Sequence, residues 1–300
     1  MTLAVIKEAI PTGTKQVTFE SHLLGGWRLI RRLTVTRWFD LYLAAPATCD
    51  PDWPADYVIK TLRHDAEPAM LARACLRREV EVGRCVHHPN LATVLAADED
   101  NVPPYIVQPY YEGISLDAML TGQSKLALSD TLWIGRQIAE ALDALHRAGW
   151  MHGDIKPSNI LVAPNGHATL IDLGFARRLD QRMLIAGEPI LQLTLGYAAP
   201  ELYLEECQVT PAADFYSLGV CLYEALTGQR LFAYQTPDQI TRAHLEEIPT
   251  ELRQLNPLVP VNTARMIMRL LAKDPTARPA ARTVIDELVR AEIECFDAVA

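Results

Sequence analysis

Between residues 128 and 172 the chain runs from a long apolar helix through a short polar loop into two brief strands and an acidic strand end. No other stretch constrains the fold as much. Leu132, Ile138, Leu142 and Leu145 recur at helical spacing within Leu128 to Ala148. Ser129 offers an N-cap and Gly149 a stop. The polar residues from His152 to Asn159 therefore sit on a rigid base. Strands are expected near Asn159 to Val162 and Ala168 to Ile171, joined by a turn at Pro164-Asn165-Gly166. Helical spacing returns at Ala212 to Leu226, Thr263 to Ala272 and Ala280 to Ala291. Upstream the texture differs. Trp27 to Leu43 reads as a hairpin, and Tyr57 to Leu62, Leu91 to Ala97 and Tyr105 to Gln108 read as strands. One helix, Pro68 to Val86, interrupts them, with Met70, Leu71, Ala74, Cys75 and Val82 on its apolar side. The expected fold is α+β and two-lobed: a small sheet lobe with one helix, then a larger helical lobe.

Composition narrows the function. Apolar residues make up 49% of the 300, enough for a sizeable core, and charged residues 22% without a like-charge block. A net charge of -9 with no basic stripe argues against nucleic-acid partners and anionic lipid. No apolar run approaches the ~20 residues of a membrane span. The first residues include Lys7, Glu8 and Pro11 and lack a signal-peptide core. Six scattered cysteines contain no Cys-x-x-Cys pair, which points away from a zinc site and toward a reducing, cytoplasmic setting.

Three features carry chemistry. In His152-Gly153-Asp154-Ile155-Lys156-Pro157-Ser158-Asn159, Asp154 can accept a hydroxyl proton, Lys156 can offset a phosphate and Asn159 offers a neutral oxygen to Mg²⁺; the bland reading is a polar turn. Asp172-Leu173-Gly174 puts a carboxylate at a strand end beside a glycine. Alone that pattern is common, but with Asn159 it supplies two oxygen ligands from neighbouring elements. Lys60 lies in the apolar strand Tyr57-Val58-Ile59-Lys60, where a lysine usually faces solvent unless an acid meets it; Glu79 lies in the next helix.

With these residues in view, the chain resembles the eukaryotic-type serine/threonine protein kinase family, with a bacterial look, over roughly residues 27 to 292. His152 to Asn159 is similar to the catalytic loop H-R-D-x-K-P-x-N, Asp172-Leu173-Gly174 to D-F-G, and Ala199-Pro200-Glu201 to A-P-E. Lys60 falls at the lysine of V-A-I-K, and His88-Pro89-Asn90 at the H-P-N after the regulatory helix. Counting back from Pro89 selects Glu79 over Glu81 as the lysine's partner. Asp214 matches the aspartate that braces the catalytic loop, and Arg278 the arginine that pairs with the A-P-E glutamate.

The resemblance implies an ATP-dependent enzyme that phosphorylates protein Ser/Thr hydroxyls with Mg²⁺. Lys60, held by Glu79, would bind the α- and β-phosphates, and Asn159 and Asp172 would hold the metal. Asp154 would orient the acceptor and Lys156 would offset phosphoryl charge. Thr194, which bonds the catalytic aspartate, and Lys156 together mark the serine/threonine class. Leu33, Leu41, Val58 and Leu161 would sandwich adenine, with Gln108 as gatekeeper and Pro109 and Tyr111 offering a carbonyl and an N–H. The implied layout is an extension over 1–26, an N-lobe over 27–108, a hinge over 109–113, a C-lobe over 114–292 and a tail over 293–300. The pattern breaks at the glycine-rich loop, where Thr34, Thr36 and Phe39 take the glycine positions and Trp38 the loop-tip aromatic. It also breaks at Leu173, which replaces phenylalanine, and at Gly83, expected to leave space in the regulatory helix. Two other classes remain open: a pseudokinase serving as a binding module, and a small-molecule phosphotransferase of related fold. Lys156, Thr194 and Ala199-Pro200-Glu201 oppose the second. Between Gly174 and Thr194 there is no serine, threonine or tyrosine, and the arginine of H-R-D is Gly153. Activity independent of phosphorylation in that segment is therefore expected.

Overall fold

The structure is a computed structural model, and it describes residues 23–179, 183–184, 194–204, 206–207 and 210–297. These residues form two compact units. One ends at Cys85 and resumes over Ala92–Glu112; the other takes Val86–Leu91 and the described residues from Gly113 on.

The first unit is an antiparallel six-stranded sheet with one helix. Its strands are β1 (Leu23–Leu24), β2 (Trp27–Val35), β3 (Phe39–Pro46), β4 (Tyr57–Leu62), β5 (Ala96–Asp98) and β6 (Tyr105–Pro109), in spatial order β1-β2-β3-β4-β6-β5. β1 joins β2 through the Gly25-Gly26 turn, pairing Leu24 with Trp27. Alternation in the strands sends Ala44, Ile59, Tyr105 and Val107 to one face, where Leu24, Trp27, Leu29, Tyr42 and Tyr57 pack on them. Helix α1 (Ala69–Cys85) buries Ala72, Cys75, Leu76, Glu79, Val80, Val82 and Gly83, a stripe at three- and four-residue spacing.

In the second unit, β7 (Ile114–Ser115) leads into α2 (Leu116–Gly122), which Ser115 caps by accepting from Ala118 N–H. The long helix α3 (Leu128–Arg147) follows, then β8 (Trp150–Met151), β9 (Ile160–Val162) and β10 (Ala168–Leu170). β9 pairs with both β10 and β7, and β11 (Arg177–Arg178) pairs with β8. A further short pair joins β12 (Met183–Leu184) to β13 (Glu206–Cys207). Helices α4 (Pro211–Thr227), α5 (Pro237–Glu246), α6 (Leu252–Leu255), α7 (Val261–Leu270) and α8 (Ala281–Asp297) complete the unit. α4 is buried on nearly every side, which its apolar sequence permits, and α3 packs against both α4 and α8.

Several expectations need correction. Only the end of the Leu91 to Ala97 run is a strand. The Asn90 carbonyl accepts from Leu170 N–H at 2.8 Å and Leu91 bridges Leu170, so these backbone groups are committed to β10 and not to the six-stranded sheet. Helix α3 is capped at Ala127, and Ser129 lies inside its first turn. Helices α2, α5 and α6 were not anticipated, although Thr236-Pro237 is a cap followed by proline at the first helical position of α5. Gly83 leaves no space: an added Cβ would stand 2.6 Å from Val94 Cγ2, so the glycine lets α1 approach the chain leading into β5. Among the described residues no helix is long and apolar enough to cross a membrane.

Candidate active site

The register of the sheet decides where Lys60 points. Leu41 lies opposite Lys60, Leu43 opposite Val58, and Val58 opposite Gln108, so Leu41, Val58, Lys60 and Gln108 share one face. That face carries α1, and Lys60 is only 4% exposed there. Its Nζ lies 2.6 Å from Oε2 of Glu79, itself 1% exposed, while Gln108 Nε2 donates to Oε1 at 3.1 Å. Each carboxylate oxygen of Glu79 thus has a donor. Burying the two charges is costly, and such short, doubly bonded geometry is what compensates for it. The pairing overturns the bland reading of a solvent-facing lysine, and Glu81 is left exposed. Leu33 is half-buried, at the register shift between the Arg32 and Thr34 pairs of β2. Pro109 is the last paired residue of β6, and the Tyr111 hydroxyl accepts from Thr93 N–H at 2.9 Å.

In the second unit Asp154 is 4% exposed and fully bonded. Thr194 Oγ1 donates to its Oδ1 at 2.6 Å. Asn159 Nδ2 donates to its Oδ2 at 3.0 Å and to its carbonyl at 2.8 Å. Lys156 Nζ stands 2.7 Å from the same Oδ2 and donates to Thr194 Oγ1 at 3.0 Å. Three residues predicted from sequence, Thr194, Asn159 and Lys156, therefore converge on the carboxylate of a fourth, Asp154, and fix it in position beside a lysine ammonium.

The loop is braced from behind. Asp214, in the first turn of α4, accepts from His152 N–H at 2.8 Å, from Gly153 N–H at 2.9 Å and from His146 Nε2 at 2.7 Å. Burial raises its carboxyl pKa, but the bonds from His146 and Gly153 and the nearby histidines outweigh that and hold it below the usual value. His152 is enclosed, and burial holds it neutral despite surrounding carboxylates. Its Nδ1 faces Asp154 N–H at 3.3 Å and its Nε2 faces the Ile171 carbonyl at 3.3 Å, which assigns the proton to Nε2. Gly153 adopts φ +80°, and an added Cβ would lie 2.8 Å from the Phe175 carbonyl oxygen, so this backbone is built for glycine. Elsewhere Arg278 grips both oxygens of Glu201, at 2.6 and 2.7 Å.

Asp172 follows β10 in a left-handed conformation, φ 68° and ψ 80°, and accepts from Gly174 N–H at 3.4 Å. It is the sole non-glycine residue with positive φ among those described, and such strain persists only where surrounding structure enforces it. The neighbouring Ile171 N–H donates to the Asn159 carbonyl at 2.9 Å, which sets Asp172 and Asn159 in adjacent chain segments. Leu161, on β9, is half-buried in this same unit. Sequence reasoning missed the roles of His146 and of Gln108 as a donor to Glu79; neither has a local signal. The segment from Phe175 to Leu193 lies largely outside the described residues.

The chain is similar in sequence to several bacterial serine/threonine-protein kinases. Serine/threonine-protein kinase PknK of Mycobacterium tuberculosis is 35% identical over 241 residues, 77% of this chain and 21% of that one. PrkC of Bacillus subtilis is 29% identical over 254 residues, 85% and 38% of the two chains. PknA of Mycobacterium tuberculosis is 31% identical over 227 residues, 73% and 51%. The chain spans 21% to 51% of the length of these relatives. The profile of the protein kinase domain matches residues 52–289, which leaves out the hairpin of β2 and β3. By that match, over most of its length, this chain belongs to the protein kinase domain family.

Proposed function

We propose that the chain is a serine/threonine protein kinase that transfers the γ-phosphoryl group of ATP to a protein Ser/Thr hydroxyl. The observation that carries this is the convergence of Thr194, Lys156 and Asn159 on Asp154. In this reading Asp154 orients the acceptor hydroxyl and takes its proton. Lys156 sits where it offsets charge on the moving group, and Lys60, positioned by Glu79, takes up the α- and β-phosphates. Within the first unit Leu33, Leu41 and Val58 would receive the base, with Gln108, Pro109 and Tyr111 along its edge.

Mg²⁺ fits the donor set. Asn159 spends its amide N–H groups on Asp154, which leaves Oδ1 as the hard oxygen a cation would meet, and Asp172 adds a carboxylate. Two protein ligands leave most of the coordination shell of Mg²⁺ to substrate phosphates and water. When bound, the ion would neutralise phosphate charge.

The domain would run over 27–292 and act in a reducing, cytoplasmic compartment on protein substrates, with no nucleic-acid partner. A pseudokinase reading has one observation in its favour, the altered β2–β3 hairpin. The experiment is transfer from labelled ATP to a generic protein by wild type and Asp154→Ala. Transfer by wild type that the variant loses supports the kinase; equal labelling, or none in either, refutes it.

A further inference from the structure

The hairpin between β2 and β3 does not present a cradle for phosphate. Thr36 N–H donates to the Phe39 carbonyl at 2.8 Å, and Phe39 N–H donates to Thr36 Oγ1 at 3.0 Å. Two backbone donors at the tip are thus spent closing its own turn, whereas a phosphate cradle needs such groups turned outward. The tip is also tied down. Trp38 Nε1 donates to the Glu67 carbonyl at 3.1 Å, Arg63 N–H to the Trp38 carbonyl at 2.9 Å, and Arg63 Nη1 to the Thr36 carbonyl at 3.2 Å.

This places Phe39. Leu41 lies opposite Lys60 and Phe39 opposite Leu62, so Phe39 stands diagonally from Lys60 on the face shared with Leu41 and Val58. Its buried ring has the Lys60 ammonium 4.7 Å from the centroid, within cation–π range. Val58 and Leu41 are the adenine-facing residues of the proposed function and Lys60 the phosphate-facing one. Phe39 therefore lies toward the phosphate end of that surface.

We propose that Phe39 sets nucleotide affinity: its ring is a resting contact of the Lys60 ammonium in addition to Glu79 and must give way before nucleotide phosphates reach it, an inference that rests on the kinase reading. The aromatic face and the phosphates compete for one cation. Affinity for the phosphates is lowered by what the ring contact supplies, and affinity for the base is untouched.

The test is isothermal titration of the full chain with ATP, ADP and adenosine, each with Mg²⁺, for wild type, Phe39→Leu and Phe39→Tyr. Leucine keeps an apolar side chain without the ring quadrupole, and tyrosine keeps the ring. Phe39→Leu should bind ATP and ADP about two- to thirtyfold more tightly, with adenosine unchanged and Phe39→Tyr near wild type. Phe39→Met, which fills a similar volume, carries the test if the melting temperature shows that leucine destabilises the hairpin. Binding of ATP that is unchanged or weaker in a folded variant overturns the inference alone, as does an equal gain for adenosine. Absence of nucleotide binding in every protein, wild type included, overturns the kinase reading and the inference with it.

Discussion

Replacing Thr194 by valine removes one hydroxyl and nearly keeps the side-chain shape, so its effect is set by two hydrogen bonds. The hydroxyl donates to Asp154 Oδ1 at 2.6 Å and accepts from Lys156 Nζ at 3.0 Å. Both partners are charged, and a hydrogen bond to a charged group contributes about 1.5–3 kcal/mol net. If the one bond to Asp154 holds that carboxylate in its reactive geometry, its loss lowers kcat by about ten- to 150-fold, at 1.36 kcal/mol per decade. The effect should fall in the lower half of that range, because Lys156 keeps its contact with Oδ2 at 2.7 Å and Asn159 its bond at 3.0 Å. The affinity for ATP should not change, since Thr194 bonds Asp154, the base of the proposed reaction, and not a residue proposed to hold the nucleotide. Thr194→Ser restores the hydroxyl and should return kcat to within about threefold of wild type. Steady-state phosphate transfer gives kcat, and titration of ATP gives the affinity. A valine variant that keeps at least half of kcat, or a serine variant as slow as valine, would refute the reasoning.

Asp172→Ala and Lys60→Met should each cut phosphate transfer by about a hundredfold or more. Lys60→Met should also lower Tm, because it takes the ammonium away from the buried Glu79 carboxylate; undiminished labelling in both variants would end the kinase assignment. His244 is 0% exposed and burial lowers its pKa to about 4. The unfolded chain therefore binds this proton first: the stabilisation is complete above about pH 6.5 and lost as pH falls toward 4, on the order of 3 kcal/mol. Denaturant midpoints at pH 7 and 4.5 should differ less for His244→Gln than for wild type, and equal differences would contradict the assignment. Gly153→Ala should cost about 2 kcal/mol and several degrees of Tm, because of its φ of +80° and the nearby Phe175 carbonyl; an unchanged melting curve would show that the loop relaxes freely. Phosphatase-treated and untreated protein should transfer phosphate at equal rates, and a large drop traced by mass spectrometry to a site between Asp172 and Glu201 would overturn that expectation.

What was legible in the sequence was what depends on neighbours in the chain. Tyr57–Leu62 and α4 show their patterns in a single turn or pleat, and the His152–Asn159 loop is one contiguous string. Glu79 could be selected over Glu81 because counting back from Pro89 in the His88-Pro89-Asn90 motif reaches it. The bond from Gln108 to Glu79 was not legible, since it needs the register of β4 on β6 and the placement of α1 together. His146 lies 68 residues from Asp214, and nothing in its surroundings distinguishes it from any histidine near a helix end. From sequence Gly83 reads as a gap, because sequence reports the size of a residue and not what fills the space beside it. Val94 fills it.

The order of the His152–Asn159 loop has a source that needs no phosphate. A loop can be held by a charge placed on its outer side or by a buried group beneath it. Asp214, 1% exposed, grips two successive backbone N–H groups at His152 and Gly153, and His146 orients its carboxylate. An arginine at position 153 would have to adopt the left-handed conformation that glycine holds without strain and bring its Cβ to 2.8 Å from Phe175 oxygen. The loop thus gains tight anchoring to α4 and loses the side chain that would grip a phosphorylated residue. The lack of serine, threonine and tyrosine between Gly174 and Thr194 is consistent with that exchange, because an acceptor there would have no arginine at 153 to bind its phosphate. In the proposed kinase, control would then fall to groups that do not touch this loop. The hairpin tip, closed on itself with Phe39 over Lys60, has the chemistry to act at the nucleotide step.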